Sequence, residues 1–221
     1  MSATVDHIRT ADTADARRSS ATHGRDEGAG TPISPLQLAV VIGSTRQGRF
    51  GPTIANWFVR QAALRDAVTV DVVDTASTEL PHVFGAATDH PSLAEATEKL
   101  ARADVFVVVT PEYNHSYPGS LKNLIDTHHL EWQAKPVGFV SYGGISGGLR
   151  AVEHLRPVFA ELHAVTVRDS VCFPNPWGRF DAAGELTSPD DADAAAATML
   201  DQLTWWGEAL RSARAAHPYG K

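Results

Sequence analysis

"AVVIGSTRQGRFGPTIANWF", residues 39–58, decides how the chain is read. A β-branched apolar run stops at Gly43. A loop of hydroxyls, arginines and glycines follows, and Pro52 opens a segment in which Ile54, Ala55, Phe58, Val59 and Ala62 recur at helical spacing. Proline suits the first helical position, where its missing N–H is no loss. A strand, a glycine-punctuated turn and a helix N-terminus in that order make an anion site, because open amides and the helix dipole favour negative charge. Gly43 and Gly48 have the G-x-x-x-x-G spacing of a triphosphate loop, but Arg49 and Phe50 stand where that chemistry needs Lys and a magnesium-holding Ser or Thr. The dinucleotide pattern G-x-G-x-x-G is not met either. What remains is backbone amides, the hydroxyls of Ser44 and Thr45, and the guanidinium groups of Arg46 and Arg49. That set suits a phosphate monoester held without a metal.

Working outward, strands and helices alternate. Strands are expected at 36–43, 68–74, 104–110, 136–144 and 164–171, and helices at 52–64, 92–103, 120–132, 148–163 and 191–213. The continuously apolar "DVFVVVT" (104–110) reads as a central parallel strand covered on both faces. Five strands joined through helices imply right-handed crossovers and a doubly wound parallel sheet. Ligands in such sheets sit beyond the carboxyl ends of the strands, near the switch in strand order. Three loops of unusual composition lie there: 43–51, 111–119 and 141–147.

The bulk properties narrow the class. A 221-residue chain that is 43% hydrophobic supports one domain with a full core, and its net charge of -7 without a basic stripe argues against a nucleic-acid partner. The single cysteine, Cys172, precludes a disulfide framework within the chain and fits a reducing cytoplasm. No apolar run reaches the ~20 residues of a membrane span. Arg17–Arg18 lacks the apolar stretch of an export signal behind it, so no targeting signal is read. Residues 1–34 carry few large apolar side chains and read as a disordered extension, 35–213 as the folded domain, and 214–221 as a loose end.

The second loop, in "TPEYNHSYPGSLKNLID" (110–126), is stiffened by Pro111, Pro118 and Gly119, and Ser120 reads as a helix N-cap. Tyr113, Asn114 and Tyr117 offer flat faces and polar groups suited to a planar heterocycle. The third, "SYGGISGG" (141–148), has glycines that let the backbone approach a ligand and present amides to it. Amides aimed at a ring that gains negative charge would favour its reduced form.

Together, "GSTRQGRFGPTIANWF", "TPEYNHSYPGSLKNLID" and "KPVGFVSYGGISGGLRAVEHLRPV" resemble the NADPH-dependent FMN reductase family over about residues 36–175. The resemblance implies a flavodoxin-like fold, a five-stranded sheet of order 2-1-3-4-5, and FMN as cofactor with NADPH or NADH as co-substrate. It implies that Ser44, Thr45, Arg46, Gly48 and Arg49 bind the FMN phosphate. Pro111, Glu112, Tyr113 and Asn114 would contact the flavin ring, and Ser141, Tyr142, Gly143 and Gly144 its pyrimidine edge. It also implies a homodimer or homotetramer, with the "PGSLKN" helix at the subunit contact.

Hydride passing from a nicotinamide through FMN puts the hard chemistry on the cofactor. No catalytic triad, carboxylate pair or metal cluster is read. The expected slot, walled by Tyr113, Tyr117 and Tyr142, suits any flat small-molecule acceptor. Free FMN destined for a flavin-dependent monooxygenase, a quinone, an azo compound, a metal oxyanion and a dedicated biosynthetic intermediate all stay open. A non-catalytic flavin-binding electron carrier or regulator is the rival reading, and Phe50 argues against a nucleotide hydrolase. His128 and His129 point about 100° apart on a helix and are expected at a surface or interface rather than on a metal. Cys172 is expected to be buried and inert, and Trp205 and Trp206 to pack the closing helix. "FPNPWGRF" (173–180) is expected to close over the site or a neighbouring subunit.

Overall fold

The computed structural model describes residues 34–83 and 89–220. The expected disordered extension therefore lies, but for Ser34, outside the described residues. The elements run β1 (Leu36–Ile42), α1 (Gly51–Ala63), β2 (Val68–Asp74), α2 (Pro91–Arg102), β3 (Val105–Pro111), α3 (Gly119–Thr127), β4 (Pro136–Gly143), α4 (Leu149–Glu161), β5 (Val165–Thr166), β6 (Val171–Pro174) and α5 (Asp190–Ala216). The sheet order is β2-β1-β3-β4-β5, and β6 also pairs with β4. Every strand pairing is parallel. This is the expected flavodoxin-like α/β fold.

Alternation along the strands feeds two cores. Leu38, Val40, Val107, Val109 and Val140 pack against Ile54 and Phe58 of α1 and Met199 and Leu203 of α5. Ala39, Val41, Phe106, Val108 and Phe139 face the other side, against Leu100, Leu121, Leu124 and Phe159. All of β3 and β4 is buried, as central parallel strands require.

The structure corrects several sequence expectations. The single strand expected over 164–171 is two short ones, pairing with the start and the end of β4. Between them the Arg156 guanidinium takes the carbonyls of Val167 and Arg168, at 2.8 and 3.0 Å, away from the ladder. The helix expected over 120–132 stops at Thr127, followed by a single 3-10 turn at Leu130–Trp132. His128 is buried there, its Nδ1 at 2.9 Å from the Leu124 carbonyl and its Nε2 at 2.9 Å from Thr97 Oγ1, so it bridges α2 and α3 rather than facing solvent. Trp205 and Trp206 lie edge to face on the outside of α5, Trp205 being 64% exposed, while Ala196, Met199 and Leu203 of that helix face the core. No helix among the described residues is long and apolar enough to cross a membrane.

Candidate active site

The first loop leaves the sheet at Gly43, whose N–H donates to Val109 O. Gly43 is pressed onto α3: an added Cβ would meet Leu121 Cδ2 at 2.9 Å. Beyond it, Arg49 N–H donates to Arg46 O across a turn with Gly48 at φ +66°. Among the described residues, the amides of Ser44 through Gly48 meet no protein acceptor. Thr45, Arg46, Gln47 and Gly48 are exposed. The Ser44 hydroxyl is fully buried beside the Tyr142 hydroxyl, with no well-formed hydrogen bond among the described residues. An unsatisfied buried hydroxyl costs ~1–3 kcal/mol. The two arginines part company. Arg46 lies over the Tyr113 ring, 5.8 Å from its centroid, with no carboxylate partner among the described residues. Arg49 instead forms a two-pronged pair with Asp74 (2.5 and 2.6 Å) and donates to Ser44 O at 2.7 Å.

In the second loop, Tyr113 and Ser116 exchange backbone hydrogen bonds of 2.8 and 3.1 Å around Asn114 and His115, which sit at φ +50° and +76°. Two successive left-handed residues make the type I′ turn, and asparagine tolerates it best. Glu112, after the buried Pro111, gives its N–H to Tyr142 O. Its side chain, 6% exposed, pairs with Arg150 at 2.5 Å and accepts from Ser146 Oγ at 2.8 Å. Burial pushes this carboxyl up, but Ser146 and Arg150 together outweigh it and hold it below the usual range. His115 and Ser116 are also strapped to α4, through Arg150 at 2.9 Å and His154 at 3.0 Å. Asn114 is exposed and Tyr113 half-buried. Tyr117 packs on the α2–α4 core. Ser120 is not the cap of α3, which starts after Pro118; its hydroxyl donates to Gly43 O at 3.2 Å and so ties the second loop to the first.

The third loop folds back on the end of β4. Ser141 Oγ donates to Gly147 O at 2.9 Å, and Cys172 Sγ lies 3.4 Å from the same carbonyl. Cys172 is half-buried, and burial pushes its thiol up. Asn175 N–H bonds Gly143 O at 2.8 Å, which sets the "FPNPWGRF" segment beside this loop, with Trp177 exposed. Gly144 is exposed, with nothing within 4 Å of an added Cβ, and is thus open to a flat ligand. Tyr142 departs from expectation: its ring belongs to the α1–α5 core, and burial pushes its hydroxyl up to about 12. It offers the site backbone rather than an aromatic wall.

Thus Ser44–Arg49, Pro111–Asn114 and Ser141–Gly144 meet at the carboxyl ends of the adjacent strands β1, β3 and β4. Asp74, Arg150, Ser146 and His154 hold these loops without having been singled out in the sequence. For Asp74 the available signal was its place as the last residue of a strand beside the first loop.

The family model described as NADPH-dependent FMN reductase matches residues 36–178. The chain belongs to that family. It is an oxidoreductase that uses FMN, with NAD(P)H as co-substrate. Among curated relatives, an NAD(P)H-dependent FMN reductase of Schizosaccharomyces pombe is 37% identical over 52% of this chain and 62% of its own. A 2-hydroxy-1,4-benzoquinone reductase of a Burkholderia species is 31% identical over 77% of this chain and 96% of its own. Among solved structures, the NAD(P)H:(acceptor) oxidoreductase FerB of Paracoccus denitrificans superposes with a TM-score of 0.64 at 23% identity, covering 78% of this chain and 97% of that one, a likeness of fold. The residues present fit FMN: the open amides match a phosphate, and the exposed Gly144 and half-buried Tyr113 leave room for a ring.

Proposed function

We propose that this enzyme is an NAD(P)H:quinone oxidoreductase whose preferred acceptors are small benzoquinones. The observation that carries the flavin part of this reading is the row of open amides at Ser44–Gly48 beside the Arg46 guanidinium, unpaired among the described residues, with Tyr113 and Gly144 on the neighbouring loops. Ser44, Thr45, Arg46 and Gly48 hold the phosphate. Tyr113 and Asn114 border the ring on one side, and the Gly143–Gly144 backbone borders it on the other. FMN held there would supply reversible two-electron chemistry between a nicotinamide and the acceptor. The protein's part is to orient the partners, and one slot serves nicotinamide and acceptor in turn. The acceptor class is supported by the Burkholderia relative, a benzoquinone reductase aligned along 96% of its own length. A cytoplasmic homodimer or homotetramer with α3 at the contact completes the proposal. A concavity of about 340 Å³ between α3 and α4, lined by Lys122, Val158 and Leu162, leaves that face available.

The test is steady-state NADH and NADPH oxidation by FMN-loaded protein across substituted 1,4-benzoquinones, free FMN and an azo dye. Quinones are expected to give the highest kcat/KM. Turnover confined to free FMN would instead make the enzyme a supplier of reduced flavin to a monooxygenase. Stoichiometric FMN binding without turnover of any acceptor would favour the electron-carrier reading.

A further inference from the structure

We propose that Asp74 positions the phosphate loop through Arg49, which makes the loop's second arginine a strut and leaves Arg46 as the guanidinium that meets the phosphate. The proposal rests on the FMN reading above. Arg49 spans two elements: both terminal nitrogens contact the Asp74 carboxylate, at 2.5 and 2.6 Å, and one also holds Ser44 O at 2.7 Å. The side chains are only 20% and 21% exposed.

The Ser44 carbonyl gives the contact its function. In a trans peptide the carbonyl of one residue and the N–H of the next point in opposite directions. With Ser44 O drawn toward β2 by Arg49, the Thr45 N–H is turned to the other side of the loop. It meets no acceptor there among the described residues. One ion pair thus sets the direction of an amide in the row that receives the anion.

The anchor is itself rigid. Thr75, next to Asp74, bonds Ile42 O through both its N–H (3.1 Å) and its hydroxyl (2.7 Å). Asp74 Oδ1 also accepts the Ala76 N–H at 3.0 Å, and Asp74 O accepts the Thr78 hydroxyl at 2.9 Å. The carboxylate cannot follow Arg49 toward a ligand. Were Arg49 to swing to a phosphate, it would leave Asp74 unpaired beside a second negative group. Arg46 has no such tie among the described residues.

Substitution of Asp74 separates strut from ligand by sign. In Asp74→Asn, the strut reading expects the FMN Kd to rise about tenfold, the worth of one charge-assisted hydrogen bond, while the Kd of riboflavin, which lacks the phosphate, stays within about twofold. Arg49→Gln should show the same phosphate-specific loss, and the double variant should be no worse than either single one. If Arg49 is itself a phosphate ligand, Asp74→Asn frees it, and FMN affinity holds or improves; that result overturns the strut. Equal losses for FMN and riboflavin overturn it as well, since they report general damage. Hydrogen exchange of the apo protein gives an independent measurement: Asp74→Asn should speed exchange at the loop's bonded amide, Arg49 N–H on Arg46 O at 3.1 Å, while β3 stays protected. Unchanged loop exchange refutes the strut even if the wild type binds no flavin, an outcome that would separately refute the functional reading.

Discussion

Arg46→Gln should remove phosphate affinity while sparing the fold. Arg46 is exposed, and its one described side-chain contact is the approach to the Tyr113 ring at 5.8 Å. An exposed cation–π contact contributes ~0.5–1 kcal/mol, which for a body of this size is about 2–4 °C of Tm at most. A guanidinium hydrogen-bonded to a phosphate contributes ~1.5–3 kcal/mol, or about 10- to 150-fold in Kd. The expected signature is therefore an FMN Kd raised by one to two orders of magnitude, an unchanged riboflavin Kd and a nearly unchanged Tm. Quenching of flavin fluorescence on titration reads the affinities. Arg46→Lys should fall between, since an ammonium keeps the charge but not the planar fork. Raising ionic strength should weaken FMN binding more in the wild type than in Arg46→Gln, because a charge pair open to water is screened beyond ~10 Å at 0.1 M salt. An FMN Kd raised less than about threefold, or a riboflavin Kd raised equally, would refute the assignment of Arg46 to the phosphate.

Three further perturbations probe other parts of the same structure. Gly148 has φ +90°, and an added Cβ would lie 2.8 Å from Tyr142 N and 3.0 Å from Tyr142 O, backbone atoms that cannot rotate away. Gly148→Ala should cost about 2–5 kcal/mol and lower Tm by about 5–20 °C, as scanning calorimetry would show; a native Tm contradicts the close approach. Glu112→Gln should cost ~1–3 kcal/mol and flatten stability below pH 5: the wild-type carboxyl titrates below its ordinary value, so its contribution is complete above about 4.5 and disappears as pH falls through the lowered value. Parallel denaturation profiles of wild type and variant from pH 3 to 6 would rule this out. Lys135 is lowered to about 8 by burial and by Arg214, with its ammonium on the carbonyls of Leu100 and Ala101 at 3.2 and 2.9 Å. The unfolded chain then holds more protons between pH 8 and 10.5, so the stability of wild type relative to Lys135→Met should rise across that window, by ~3 kcal/mol at most. Urea denaturation at pH 7, 9 and 10.5 would disprove it by a constant difference.

The fold was legible because its signals are local. Short, largely apolar runs in β1, β3 and β4 and helical stripes in α1 and α2 are written within a dozen residues each, and the alternation of strand with helix dictates the parallel sheet. What failed depends on partners distant in sequence. "AVTVRDSV" reads as one strand until Arg156, from α4, takes its carbonyls. His128 reads as a surface residue until Thr97 of α2 binds it. Tyr142 is a different case: Val140 and Tyr142 share a face of β4 by alternation, so its burial in the α1–α5 core was readable. The aromatic character of its neighbourhood in sequence obscured that.

The same distinction explains the site. Composition marks which loops meet a ligand, since glycines, hydroxyls and arginines are unusual between apolar elements. It does not say which of two arginines turns inward, because that is decided by Asp74, 25 residues from Arg49. Likewise Glu112 reads as a ring contact within "PEYN", yet its carboxylate faces Arg150 and Ser146, 34 residues or more away. Each of the three loops is thus held from behind by a polar contact: the first by Asp74 and Ser120, the second by Arg150 and His154, the third by Glu112 and Ser141. Apolar packing could not serve there, since the carboxyl end of a parallel sheet is where the strands stop and the loops must stay open to a ligand. Directional hydrogen bonds and ion pairs can orient a loop from one side and leave its other side free. A brace of this kind lowers the ordering cost of binding, which is how a site far from the apolar core gains affinity without new ligand contacts.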